Sequence, residues 1–163
     1  GGRVAAVLGL EPWPTPDGDD PRRRAVEVYP HAASVALFRL GRTLKYKQKQ
    51  GRDLELLRSE LLRLTTLLEG LEGAAVPLRL RGRACWEELV AAAVDATRKS
   101  HLRVVEDQVD AVLCAYVALL VVRAPGTLAT YGDPATGCVV TPRLPADLEP
   151  ELGRRPGARD SRH

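Results

Sequence analysis

The chain has 163 residues, of which 45% are hydrophobic and 28% are charged. That length can bury the core of one domain, and the mixed charges exclude a disordered or collagen-like chain. The 24 Lys and Arg residues exceed the 21 Asp and Glu residues by only three, so the charge balance allows a nucleic-acid partner without requiring one. The chain opens without a signal-peptide pattern, and its three cysteines lack metal-binding or disulfide spacing, so we expect a cytoplasmic protein.

The hydrophobic pattern predicts a mixed α/β domain. Proline-rich sequence favours a loop, alternation of apolar and other residues favours a strand, and apolar residues three and four apart favour a helix. In chain order these patterns predict a loop at 11–24, a strand at 25–29, helices at 31–40, 53–68, 84–99 and 104–122, and a hairpin with strands at 128–131 and 138–141. The tail, 144–163, is rich in Pro, Arg and Glu and is expected to be flexible.

The sequence also predicts which residues are buried in the helices at 84–99 and 104–122. In the helix at 84–99 the residues expected to point inward are Trp86, Leu89, Val90, Ala93 and Val94. The helix at 104–122 starts polar and becomes apolar all round, so we expect its second half to be buried. Its apolar run, 111–122, is shorter than the roughly 18 residues that a membrane-spanning helix needs, so no membrane association is expected.

A basic segment lies between residues 39 and 52. It contains six cationic residues and no acid, namely Arg39, Arg42, Lys45, Lys47, Lys49 and Arg52. Such a segment can face the phosphates of a nucleic acid, or it can be a solvated basic loop without a ligand. The sequence pattern leaves both interpretations open.

A cluster of acids opens the polar half of the helix at 104–122. Asp107 and Asp110 are three residues apart and Glu106 and Asp110 are four apart, so each pair shares a helix face and repels by a few tenths of a kcal/mol. Asp110 also adjoins the apolar run, where an unpaired carboxylate is costly. A hard cation, Mg²⁺ or Mn²⁺, would neutralise the cluster. The other interpretation is that acids in the first turns are stabilised by the positive end of the helix without any ligand.

Glu27 is the second candidate carboxylate. In the strand at 25–29 it points away from Val26 and Val28, toward the face that it shares with Tyr29. A lone Glu on a strand is usually a solvated side chain. A strand carboxylate that meets a pair of helix carboxylates is, however, the arrangement used in two-metal hydrolysis of phosphodiesters.

Four segments occur in the same order as in a known family. They are Val26-Glu27-Val28-Tyr29-Pro30-His31, Leu44-Lys45-Tyr46-Lys47, the run from Val105 to Tyr116 that contains Glu106-Asp107-Gln108-Val109-Asp110, and Tyr131-Gly132-Asp133-Pro134 followed by Gly137. On these motifs the chain, from about Val26 to Val140, resembles the predicted RNase H-like nucleases catalogued as domain of unknown function 429.

The resemblance implies an RNase H-like fold, in which a mixed sheet is flanked by helices. It implies a divalent-metal-dependent nuclease that hydrolyses the phosphodiester bonds of DNA or RNA. Glu27, Asp107 and Asp110 would then be the catalytic carboxylates and would hold Mg²⁺ or Mn²⁺. Lys45 and Lys47 would contact the nucleic-acid backbone, with an affinity that depends on salt and not on base sequence.

The N-terminal part of the chain departs from this family pattern. The fold places an essential Asp on the first strand of a β-meander, and no such strand precedes Glu27. The chain also begins with Gly1 and contains no Met. We therefore expect residues 1–143 to be the C-terminal portion of one RNase H-like domain, truncated at its N-terminus and lacking a metal ligand. The alternative is a non-catalytic nucleic-acid-binding or protein-interaction domain of the same fold.

Overall fold

The computed structural model describes residues 2–12, 24–133 and 136–148 and shows a mixed α/β chain. Its helices are α1 (Gly2–Val7), α2 (Pro30–Phe38), α3 (Leu54–Gly70), α4 (Ala84–Val94) and α5 (Lys99–Arg123). Its strands are β1 (Glu11–Pro12), β2 (Arg24–Ala25), β3 (Leu128–Asp133) and β4 (Gly137–Pro142). Within these ranges, none of the helices has both the length and the apolar character needed to cross a membrane.

Helix α3 provides a buried stripe of leucines at the centre of the core. The carboxylate of Asp53 caps the helix by accepting a hydrogen bond from the backbone N–H of Leu56 at 2.8 Å. The buried leucines are Leu57, Leu61, Leu64 and Leu68, three or four residues apart. The helix predicted at 53–68 is thereby confirmed, because the leucine spacing places one continuous apolar face against α4 and α5.

The boundary between α4 and α5 differs from the prediction. Helix α4 ends at Val94, and α5 begins at Lys99, five residues before the predicted start at 104. The backbone of Arg98 is extended and separates the two helices. Trp86 is buried as predicted, but the prediction for Val94 is wrong because this side chain is 52% exposed.

The second half of α5 is not buried on all sides, so that prediction is wrong too. Its buried face is formed by Leu113, Tyr116, Val117 and Leu120. The opposite side is exposed at Ala111, Ala115, Ala118 and Val122. Three of these four exposed residues are alanines, whose small side chains leave little apolar area in water.

The predicted hairpin is present as the antiparallel pair β3–β4, with Leu128 opposite Pro142 and Asp133 opposite Gly137. Gly132 has a φ of +101°, and a Cβ atom there would lie 2.5 Å from the carbonyl oxygen of Gly137. Both observations require glycine at this position. The hairpin packs on α2 and α5.

The strand predicted at 25–29 is only partly formed. Strand β2 stops at Ala25 and pairs in parallel with β1, while Val28 forms an isolated parallel bridge with Val140. Pro30 then begins α2. The predicted alternation is confirmed, since Glu27 is exposed whereas Val28 packs against the core.

Parts of two predicted segments lie outside the described residues. In the loop predicted at 11–24 this applies to 13–23, and in the tail predicted at 144–163 it applies to 149–163. The described start of the tail contacts the domain, because Asp147 pairs with Arg39 at 2.7 Å.

Candidate functional site

A pair of buried carboxylates lies on the first half of α5. Glu106 is 7% exposed and Asp110 is 8% exposed, and their spacing of four residues places them on one helix face. The ammonium nitrogen Nζ of Lys47 lies 2.7 Å from Oε1 of Glu106 and also binds Oδ2 of Asp110. Lys47 therefore bridges the two carboxylates, which are called the Glu106–Asp110 pair below.

Tyr46 and His31 complete this polar cluster. The Tyr46 hydroxyl donates a hydrogen bond to Oδ1 of Asp110 at 2.8 Å. Burial raises the pKa of Tyr46 far above its ordinary value, and the negative charge of Asp110 raises it further, so the phenol stays protonated. The His31 ring lies 5.1 Å from the Tyr46 ring, and within the described part of the chain its buried Nδ1 has no hydrogen-bond partner.

The pKa values of Glu106 and Lys47 are both raised, but for different reasons. Burial raises the pKa of Glu106; Lys47 opposes that shift and the charge of Asp110 adds to it. Burial lowers the pKa of Lys47, but its hydrogen bonds to Asp110 and Glu106 outweigh burial, and the net shift is upward. Lys47 is therefore cationic at neutral pH.

A pocket of about 580 Å³ adjoins the pair and is lined mainly by basic and amide side chains. The lining residues are Lys47, Gln48, Lys49, Gln50, Gly51, Lys99, Arg103 and Glu106. One wall is the loop 47–51, and the other is the first two turns of α5, where Lys99 and Arg103 are four residues apart and share a face. We call this cavity the basic pocket.

Hydrogen bonds fix the loop against the helix. The Arg52 guanidinium donates to the carbonyl oxygen of Lys47 at 2.7 Å, and the Lys99 ammonium donates to the carbonyl oxygen of Arg52 at 2.6 Å. Gly51 has a φ of +80°, a left-handed conformation that glycine adopts without strain. The loop is therefore held at a defined position beside the start of α5.

The basic pocket has a surplus of positive charge. Among the described residues that line it, Glu106 is the only acid, and Lys47 already pairs with Glu106. Within residues 24–133, Lys49 and Arg103 make no ion pair with another described residue. The first turn of α5 holds no acid, and no side chain caps it, so the positive end of the helix dipole is not neutralised. Chemically, this arrangement can bind an anion such as a phosphate group.

The three predicted metal ligands are not brought together. Asp110 is buried in the cluster, whereas Asp107 and Glu27 are exposed. Glu27 instead uses its carbonyl oxygen, which accepts from the N–H of Val140 at 2.8 Å. No group of three His, Cys, Asp or Glu side chains within the described ranges could hold a metal ion. The described carboxylates thus do not fit the three-ligand metal site that the resemblance implies.

The two predicted phosphate-contacting lysines have different environments. Lys45 is exposed, and its backbone N–H donates to Oε2 of Glu60 at 2.7 Å. Lys47 lines the basic pocket, but its ammonium is also held by the Glu106–Asp110 pair. Of the two, Lys47 is therefore the lysine that the structure associates with a site.

Several residues of the site have no role assigned by the sequence pattern. Tyr46 and His31 occur in the matched motifs, but nothing in their spacing indicates that they meet beside Asp110. Lys99 and Arg103 were missed because the predicted helix started at 104. Their spacing of four residues would have indicated a basic face if the helix start had been placed correctly.

Comparison with known protein families gives a match over most of the chain. Residues 3–136 match the family described as "Protein of unknown function (DUF429)". No curated protein matches the chain, and no solved structure does. The match covers the loop 47–51, the cluster around Lys47 and all of α5.

Proposed function

The chain belongs to the DUF429 family, and we propose that it binds the phosphodiester backbone of nucleic acid in the basic pocket. The observation that carries the proposal is the convergence of four cationic side chains from two elements on one pocket, whose described lining holds a single acid. These side chains are Lys47, Lys49, Lys99 and Arg103.

The start of α5 supports an anionic ligand. Basic residues in a first helical turn are ordinarily unfavourable because they face the positive end of the dipole. Here Lys99 is the first residue of α5, Arg103 lies one turn further along, and the first turn holds no acid. A bound phosphate would offset this repulsion, and the Arg103 guanidinium is suited to hold two phosphate oxygens at once.

The lining also indicates which part of a nucleic acid is contacted. The described lining residues include no aromatic ring on which a base could stack. Ammonium and guanidinium groups recognise phosphates, which are the same for every base. The expected affinity is therefore independent of sequence and common to DNA and RNA.

Fluorescence anisotropy with labelled oligothymidylate and oligouridylate tests this proposal. We expect both to bind, with an affinity that falls about 20-fold between about 50 and 200 mM salt if about three phosphates are contacted. Arg103→Glu should weaken binding tenfold or more and make the salt dependence shallower. Arg79→Glu is the matched control, because Arg79 is exposed and does not line the pocket. An affinity that is insensitive to salt, or equal losses in the two variants, would contradict the proposal.

Divalent-metal-dependent hydrolysis of the bound strand, on an RNase H-like fold, is the second candidate function. The observation that favours it is the position of Glu106, which lines the basic pocket and lies beside Asp110. A labelled DNA or RNA strand incubated with Mn²⁺ tests it. Cleavage that disappears in Asp110→Asn would support this candidate, and an intact strand would leave binding as the function.

A further inference from the structure

Lys47 supplies the positive charge that the Glu106–Asp110 pair needs. Its ammonium lies between two buried carboxylates of neighbouring helical turns and contacts both of them. We infer that Lys47 is the resident cation of the Glu106–Asp110 pair, and that the basic pocket binds phosphodiesters without a divalent metal ion at this pair. The second half of this inference rests on the proposed function, whereas the first half does not.

The hydrogen bonds of the pair support this role. Lys47 binds one oxygen of each carboxylate, and Tyr46 donates to the remaining oxygen of Asp110. Three of the four carboxylate oxygens thus already have a donor. A magnesium ion would need such oxygens at about 2.1 Å with nearly octahedral geometry, so it would have to displace the ammonium.

The positive charge around the Glu106–Asp110 pair also disfavours a divalent cation there. One ammonium between two carboxylates leaves a single net negative charge, beside a pocket that has Lys49, Lys99 and Arg103 in its lining. A divalent cation that entered the pair in addition to Lys47 would meet all of these positive groups. Lys47 itself lines the pocket, so the same ammonium neutralises the pair and adds to the positive charge that a phosphate meets.

The test is the thermal stability of the purified chain with and without MnCl₂. We expect no Mn²⁺-dependent shift for the wild-type protein. Lys47→Met removes the resident cation and keeps an unbranched side chain, and its melting temperature should rise by about 3 °C at a tenfold excess of Mn²⁺ over its Kd. Lys45→Met is the matched control and should behave like the wild type, because the Lys45 side chain is exposed and outside the pocket.

Two further variants keep the inference falsifiable. If Lys47→Met does not fold, Lys47→Gln takes its place, since an amide can still donate to one carboxylate. The double variant Lys47→Met/Glu106→Gln should lose the Mn²⁺ response, because one of the two carboxylates is gone. A wild-type response as large as that of Lys47→Met, or no response in any Lys47 variant, would overturn the inference.

Oligothymidylate binding in EDTA separates the inference from the proposed function. Binding that is unchanged in EDTA supports both the inference about Lys47 and the proposed nucleic-acid binding. Binding that requires Mn²⁺ overturns the inference and leaves nucleic-acid binding intact. No binding under any condition overturns the proposed function, while the Mn²⁺ response of the Lys47 variants still reports whether Lys47 is the resident cation.

Discussion

Two buried glutamates anchor the basic segment at 39–52, and their pKa values shift in opposite directions. Glu60 on α3 is 8% exposed and Glu106 on α5 is 7% exposed. Burial raises the pKa of Glu60, but its hydrogen bonds with the Lys45 N–H and with Arg42 outweigh burial, and the net shift is downward. Burial also raises the pKa of Glu106, and there the net shift is upward.

The difference lies in how many carboxylates share each donor. Glu60 accepts from a backbone N–H at 2.7 Å and from the Arg42 guanidinium at 3.3 Å. Glu106 has to share the ammonium of Lys47 with Asp110. Ionisation of a buried carboxylate that has its own donors stabilises the fold, whereas ionisation of Glu106, which shares a single cation, lowers the stability of the fold.

The largest expected effect comes from removing the shared cation. Lys47→Met leaves two buried carboxylates facing each other, with the Tyr46 hydroxyl as their only side-chain donor within the described part of the chain, so the free energy of unfolding should fall by about 2 kcal/mol. This expected loss is smaller than the cost of breaking a fully buried ion pair, because the Lys47 side chain is 28% exposed. Urea denaturation of the wild type and the variant at pH 7 measures this change in the free energy of unfolding. A loss below about 0.5 kcal/mol would mean that the Glu106–Asp110 pair does not depend on Lys47.

Glu60→Gln should have the next largest effect and a characteristic pH dependence. Loss of the charge weakens the hydrogen bonds from Arg42 and Lys45, so we expect a loss of about 1 to 2 kcal/mol at pH 7. Because the folded pKa of Glu60 is lowered, its stabilisation is present above the unfolded pKa of about 4.3 and is lost as the pH falls through the folded value. The stability gap between wild type and variant should therefore close in acid. A gap that is constant from pH 7 to pH 3 would contradict the prediction.

Glu106→Gln should have the smallest effect and the opposite pH dependence. The folded pKa of Glu106 is raised, so the folded state holds its proton more tightly, and the wild type loses stability as the pH rises from about 4.3 through the folded value. Relative to the wild type, the variant should gain stability over that range and lie within about 1 kcal/mol of it at pH 7. Asp107→Asn, an exposed neighbour on α5, is the control and should change stability by less than about 0.5 kcal/mol. A loss in Glu106→Gln as large as that in Glu60→Gln would remove the contrast between the two glutamates.

Helices α2 to α5 could be predicted from the sequence, but the end of α4 and the start of α5 could not. The leucine spacing of α3 and the glycine-bounded hairpin β3–β4 depend on contacts between near neighbours in the chain, which the sequence displays. The break between α4 and α5 depends on Arg98 adopting an extended backbone, although no Gly or Pro marks this position. The early start of α5 at Lys99 was missed for the same reason.

The candidate site was only partly predictable. The acids at 106–110 and the lysines at 45–47 were identified as functional candidates, but as separate elements with a metal ion between the acids. The structure joins them directly, across a separation of 63 residues between Lys47 and Asp110. Asp107 is exposed and Glu106 is buried, a difference that the spacing of the acids alone does not indicate. One step along a helix rotates a side chain by about 100°, and only packing decides which face is covered.

The mixed α/β class, the periodic core of α3, the hairpin and the family can be inferred from the sequence, because they are set by local spacing and by ordered motifs. The partners of the charges depend on the tertiary structure. It placed Lys47 between Glu106 and Asp110, and it brought Lys49, Lys99 and Arg103 to one pocket. The physical reason is that a buried charge must find its counter-ion in space, and chain order does not encode which of several cations lies within about 3 Å.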